Sequence, residues 1–247
     1  MPEVMSSGAG LTDRAVAFLR ERADVLDDEW DADKDRETAE KYAENLGISA
    51  LDILDGLRRM RERFGGLRWP STSWSFEEVL SLVPVLRFDQ EVRVPEVYFV
   101  DHMVAHPFTV HANFDGEVVF VFDSSGLPPV TVFDRCESLI ESDALYWECG
   151  SWREVASGTD ELVEEIDARA KSLTLVEEAS GRTEQWWEGD GFRVLVWRTY
   201  AELFHLPDMA RWGVWARDEQ GERNARAVLG LPADATWTLP PVEIDDM

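Results

Sequence analysis

Asp101, His102, His106 and His111 carry the side-chain types of a metal or acid–base centre within eleven positions. A zinc ion would require three or four such groups to converge at about 2 Å. On an extended strand His102 and His106 share a face but stand roughly 13 Å apart, and His111 has the opposite parity. Pro107 interrupts the run. Edge-of-sheet histidines are the stronger reading, and a metal-dependent enzyme using His102 and His106 is the weaker one. Asp31-Ala32-Asp33-Lys34-Asp35 opens like a calcium loop. Such a loop needs glycine at its sixth position and a bidentate glutamate at its twelfth, where this chain has Arg36 and Tyr42. Cys136 and Cys149 lie thirteen residues apart without a CxxC pattern, so they read as structural thiols. Ser124-Ser125-Gly126 runs into Leu127-Pro128-Pro129, which makes a turn rather than the strand-to-helix elbow of a serine nucleophile. Phosphate-binding and dinucleotide-binding glycine patterns are absent from the sequence.

With no local catalytic signature, charge becomes the most informative property. Fifty Asp and Glu against twenty-four Lys and Arg leave the 247-residue chain at −26. Such a field repels nucleic acid and anionic lipid and speeds association with cationic partners. Ten acids and three bases fall between Glu21 and Glu40. Asp27, Asp28, Glu29, Asp31, Asp33 and Asp35 therefore form one candidate partner-binding patch, and Glu141 with Asp143 a second. A salt-adapted surface is the competing explanation of the charge. Trp186, Trp187, Trp197, Trp212 and Trp215 suggest a platform for stacking single-stranded nucleic acid, but Glu184, Glu188 and Asp190 deny it the cationic groove it needs. Core and interface packing is the expected role of these rings. The arginines from Arg58 to Arg68 are expected to pair with the chain's own acids. No apolar run approaches the roughly 20 residues that span a bilayer, and no charged-then-apolar leader precedes the polar start. With two cysteines and no leader, the expected compartment is the cytoplasm.

The elements that would position these residues follow from periodicity. Leu11, Ala15, Phe18, Leu19 and Leu26 recur at helical spacing, predicting a helix over about 12–26 capped by Thr12 or Asp13. Thr38–Leu46 repeats the pattern and ends at Gly47. Ser49 starts another helix whose apolar stripe is Ile53, Leu57, Met60 and Phe64, stopped by Gly65-Gly66. Strands are expected at Val97–Val104, Pro107–Phe114, Glu117–Phe122 and Val130–Phe133. Asp115-Gly116 predicts a two-residue type I′ hairpin with positive φ at both positions. Asp134 and Glu137 start an amphipathic helix through Leu139, Ile140, Ala144 and Leu145, and Thr159–Ala170 reads as an acidic helix. After Gly181 come strands at Glu184–Glu188, Phe192–Arg198 and Trp212–Ala216, then a helix near Asn224–Leu229.

Three blocks resemble the SUKH superfamily of bacterial immunity proteins. They are the helix Ala15–Leu19 with Met60–Leu67 downstream, the hairpin Val110–Phe122, and Pro129–Leu145. The resemblance implies an α+β fold whose curved antiparallel sheet is packed by helices, with no cofactor and no catalysis. It also implies a protein that binds and blocks a toxin, many such toxins being nucleases. The expected organisation is a SUKH-like domain over residues 10–180 and a Trp-rich α/β extension over 181–247. The expected partner is a basic protein toxin or another cationic protein, met through the acidic residues named above. A structural or regulatory interaction module with some other partner is the alternative.

Overall fold

The computed structural model describes residues 2–8, 10–26, 32–71, 79–87, 96–101, 109–121, 128–159 and 162–232. The fold is α+β, with two antiparallel sheets in two compact units, Met1–Trp147 and Glu148–Met247. The expected boundary near 180 is displaced to the end of a helix, because the strand Arg153–Thr159 pairs with Arg211–Ala216 and so belongs with the later residues.

In the first unit, α1 (Glu3–Ser7) and α2 (Asp13–Arg22) precede β1 (Asp24–Val25), and α3 (Ala32–Leu46) and α4 (Ala50–Phe64) form an adjacent pair. The strands β2 (Leu67–Pro70), β3 (Val79–Arg87), β4 (Glu96–Asp101), β5 (Thr109–Asn113), β6 (Val118–Val121) and β7 (Val130–Phe133) follow, and α5 (Cys136–Cys149) closes the unit. The sheet is a meander in the order β1 to β7, every neighbour antiparallel. Helix α2 ends at Arg22 rather than near 26. Residues 24–25 leave the helical path to pair with Leu67 and Arg68, and Leu26 N–H donates to the Gly66 carbonyl at 2.8 Å. Long-range pairing here outweighs a helical propensity that is only a weak prior.

Helices α3 and α4 pack on each other and on β3, where Pro84 interrupts the ladder. Proline offers no N–H, and the β3–β4 register slips between Leu82 and Leu86. Two side chains serve the backbone freed by that slip. Arg61 Nη1 donates to the Pro84 carbonyl at 2.7 Å, and Leu86 N–H donates to Asp35 Oδ1 at 3.3 Å. The β5–β6 hairpin is present, but its turn is wider than the sequence suggests. Asn113 O accepts from Gly116 N, Asn113 N donates to Glu117 O, and Asn113 Oδ1 accepts from the amides of Asp115 and Glu117. Only Gly116 has positive φ, at 93°. The Asn113 side chain favours this three-residue loop, in which a single glycine supplies the left-handed residue.

The second unit carries β8 (Arg153–Thr159), α6 (Val163–Ala170), β9 (Thr174–Leu175), β10 (Glu184–Gly189), β11 (Phe192–Trp197), α7 (Thr199–Phe204), β12 (Arg211–Ala216) and α8 (Glu219–Leu229). Its sheet runs β8-β12-β11-β10-β9. The expected helix from Thr159 starts later, because Thr159 pairs with Arg211 as the end of β8. One sheet face presents Trp187, Val194, Val196, Trp212 and Val214 to α6 and α8, and these residues form an apolar core with Val163, Ile166, Ala225 and Leu229. Asp218 caps α8, its carboxylate accepting from Gln220 N and Gly221 N at 2.9 Å.

Helix α7 ends on His205, the one non-glycine with positive φ among the described residues, at 54°. The left-handed conformation strains any residue with a Cβ. His205→Gly is accordingly expected to be neutral or to stabilise by up to about 1 kcal/mol, since relief of strain competes with the extra entropy of an unfolded glycine. Thermal unfolding checks this, and a loss larger than that would show the imidazole making a stabilising contact.

Candidate partner-binding surface

Helix α3 presents Asp33, Glu37, Glu40 and Glu44 to solvent. The charges sort by position along it. Arg36 reaches Asp33 at 3.3 Å, and Lys41 reaches Glu37 at 2.7 Å, so the first half neutralises much of itself. The Lys41 ammonium beside Glu37 lowers that carboxyl's pKa. Glu40 and Glu44 have no ion pair among the described residues, and neither has Asp52 in the first turn of α4. Asp52 lies where the α4 dipole favours an acid, whereas Glu44 lies in the last turn of α3, where the dipole disfavours one and no base offsets it.

The acids singled out from sequence separate into three groups. Asp33 is exposed, its side chain 89% accessible. Asp27, Asp28, Glu29 and Asp31 lie outside the described residues, as do His102 and His106. Asp35, Glu141 and Asp143 are buried, which removes them as partner contacts. Asp35 faces the sheet to serve Leu86. Glu141 and Asp143 lie on α5, where ten successive residues from Cys136 to Leu145 are buried. The expected amphipathic helix is in fact enclosed on all sides. Glu141 accepts from Thr12 Oγ1 at 2.7 Å and from Arg14 Nη2 at 2.9 Å, and it also accepts from the Thr12 amide. It thereby fixes the start of α2, whose N-cap is Thr12. Asp143 accepts from Trp69 Nε1 at 2.7 Å and from Ser71 Oγ at 3.0 Å. Glu137, one turn before Glu141, pairs with Arg63. Charged groups enclosed in this way are held by specific partners, because an unpaired one would carry its full desolvation penalty.

The remaining candidate groups for chemistry are also committed to the fold. His111 is buried on β5, in register with Tyr98 and Val119. Among the described residues no three His, Cys, Asp or Glu side chains cluster as metal ligands. Both cysteines are buried and unbridged, and burial, with the Glu137 charge beside it, pushes the Cys136 thiol far above its ordinary value. A thiol held in that state is a poor nucleophile at neutral pH. Of the arginine run, Arg58 pairs with Asp55 and Arg63 with Glu137, as anticipated, and Arg61 donates to a backbone carbonyl.

The five tryptophans singled out from sequence are packing groups. Trp186, Trp187, Trp197, Trp212 and Trp215 are all buried, with the Trp186 and Trp215 rings 5.7 Å apart. Glu184, also buried, accepts from Trp197 Nε1 at 2.7 Å and from Thr199 Oγ1 at 3.0 Å. Arg193 is buried on the same sheet, 2.8 Å from Glu148 and 3.3 Å from Glu188, with its guanidinium over the Trp152 ring. Burial opposes its charge, but the two carboxylates outweigh burial and raise its pKa. Arg217 stacks on Trp152 as well, at 5.0 Å from the ring centroid.

Sequence reasoning overlooked the solvent-facing corner between α3 and α4. Leu51 is 73% exposed and Ile48 is 41% exposed, in the short stretch of chain that also carries the exposed acids Glu44 and Asp52. The signal was available: Leu51 falls outside the stripe of Ile53, Leu57, Met60 and Phe64, so a helix burying that stripe turns Leu51 outward.

Comparison with protein-family models, with curated proteins and with solved structures returns no significant match. Among the described residues no helix is long and apolar enough to cross a membrane.

Proposed function

We propose that the chain is a non-catalytic binding protein of the bacterial cytoplasm, an immunity-type protein of the SUKH kind that blocks a basic, nuclease-type toxin. The observation that carries this reading is the surplus of acid, −26 over 247 residues, combined with the commitment of the buried carboxylates to the fold. Among the described residues Asp35, Glu137, Glu141, Asp143, Asp167 and Glu184 are buried, and each is bonded or paired within its own unit. The other described acids are exposed or half-buried, suited to steering and charge complementarity rather than to proton transfer in an enclosed site. The α+β architecture, with a long antiparallel sheet packed by helices, agrees with the fold that the SUKH resemblance implies.

The test is capture on the tagged full chain at about 50 mM and about 500 mM salt, across which the Debye length falls from roughly 14 Å to roughly 4 Å. A single basic protein is expected to be retained at low salt and released at high salt, and the purified chain is expected to inhibit its activity. Capture that ignores salt, or a captured protein whose activity the chain leaves untouched, overturns the reading. Charge reversal by Asp33→Arg is expected to weaken capture, and unchanged affinity would remove the first half of α3 from the interface.

A further inference from the structure

We infer that the corner between α3 and α4 is the anchoring point for a basic, amphipathic segment of the partner, a proposal that rests on the binding function above and localises it. Three observations support it. Among the described residues Leu51 is the most exposed of the large apolar side chains, at 73%, and Ile48, three residues away in sequence, is 41% exposed. Exposed apolar side chains are ordinary when scattered, so the pair alone would carry nothing. The second observation is their surroundings. Glu40, Glu44 and Asp52 are exposed acids with no ion pair among the described residues, whereas the two exposed acids earlier on α3, Asp33 and Glu37, both have one. The third is the position of Glu44 in the last turn of α3. That turn has no basic residue, and the carboxylate adds to the negative end of the helix dipole.

A violated local preference at the surface marks a place where something other than the isolated fold sets the sequence. The complement is a segment carrying an apolar side chain to lie on Leu51 and Ile48, flanked by guanidinium or ammonium groups. Those cations would meet Glu40, Glu44 and Asp52 and would offset the carbonyl end of α3. An apolar centre with a charged rim is also the usual anatomy of a protein interface.

The probe is a fluorescently labelled helical peptide of alternating Leu and Arg faces, titrated with the full chain and followed by anisotropy. A second peptide replaces every Leu by Ser and keeps the charge. Wild-type chain is expected to bind the Leu–Arg peptide more tightly than the Ser–Arg peptide. Leu51→Glu is expected to weaken the first by at least roughly tenfold, the loss typical of a contact centre. That substitution adds a negative charge, so a loss reports the apolar contact rather than electrostatics. Leu206→Glu, which makes the same change at a leucine of the second unit that is 42% exposed, is expected to leave binding unchanged. Glu44→Lys is expected to flatten the salt dependence.

Equal binding by wild type and Leu51→Glu, equal losses from Leu51→Glu and Leu206→Glu, or no preference between the peptides each overturns the proposal. The two readings fail separately. Salt-sensitive capture of a basic protein equally by wild type and Leu51→Glu removes this corner and leaves the acidic-surface function standing. Peptide binding lost in Leu51→Glu, with no basic protein captured by wild type, keeps the corner and removes that function.

Discussion

Asp143→Ala is expected to lower stability by about 1–3 kcal/mol, because it removes the acceptor of the Trp69 indole N–H, the cost of a donor buried without an acceptor. Trp69 and Asp143 are essentially inaccessible to solvent, so water cannot take over the lost bonds. Urea denaturation followed by circular dichroism measures the change. Removing the donor as well, in Asp143→Ala with Trp69→Phe, is expected to cost less than the sum of the single changes, because the two side chains share one bond. The same experiment decides between two roles for the residue. If Asp143 belonged to a partner interface, the alanine variant would keep wild-type stability and lose capture of the basic protein. A fold-holding Asp143 gives the opposite result.

Gly221→Ala is expected to destabilise the second unit by about 3 kcal/mol, at the upper end of ordinary overpacking. Gly221 lies in the first turn of α8, where an added methyl would fall inside the carbonyl oxygen of Gly191 and press on its carbon at 2.7 Å. Both obstructing atoms are backbone, in the tight turn between β10 and β11, so no rotamer change can clear them. The helix must lift from the turn, which also pulls Asn224 Nδ2 from the Asp190 carbonyl it reaches at 2.9 Å. Gly47→Ala is the matching control. Its φ of 70° imposes left-handed strain, but the methyl would meet nothing within 4 Å, so its cost is expected to stay near 1 kcal/mol. Tryptophan fluorescence during thermal unfolding separates the two, and equal losses would refute the backbone clash.

Much of the fold was legible wherever one face of an element meets solvent. The stripe of α4 is an example: Ile53, Leu57, Met60 and Phe64 are all buried as the 3.6-residue period requires. Strand β7 was equally clear, with Val130–Phe133 bounded by a proline pair and an acidic helix start. Helix α5 shows where that logic stops. Glu141 and Asp143 look like surface acids because acids usually are, yet two residues on a helix point about 200° apart. No single exposed face holds both while Ile140 and Ala144 are inside. Ser138 and Ser142 on the same helix, and a Trp69 indole needing an acceptor, were the remaining hints of enclosure. Asp35 was harder to read, because its burial depends on a register slip at Pro84, in a strand fifty residues later. The corner of Ile48 and Leu51 was recoverable by elimination from the α4 stripe, but its unpaired acids required knowing which cations α3 had already used.

The bond between Thr12 and Glu141 joins residues 129 positions apart. During synthesis α2 therefore emerges well before the group that secures its first turn. Until α5 leaves the ribosome, Thr12 lacks the carboxylate that secures it, and α2, too short at ten residues to be stable alone, rests on its packing against α1 and β2. Formation of the first unit thus waits for nearly all of its length. Any interruption of translation before residue 141 would release a chain whose early helix lacks the carboxylate that secures its first turn and whose sheet strands are already made, the kind of species that chaperones bind.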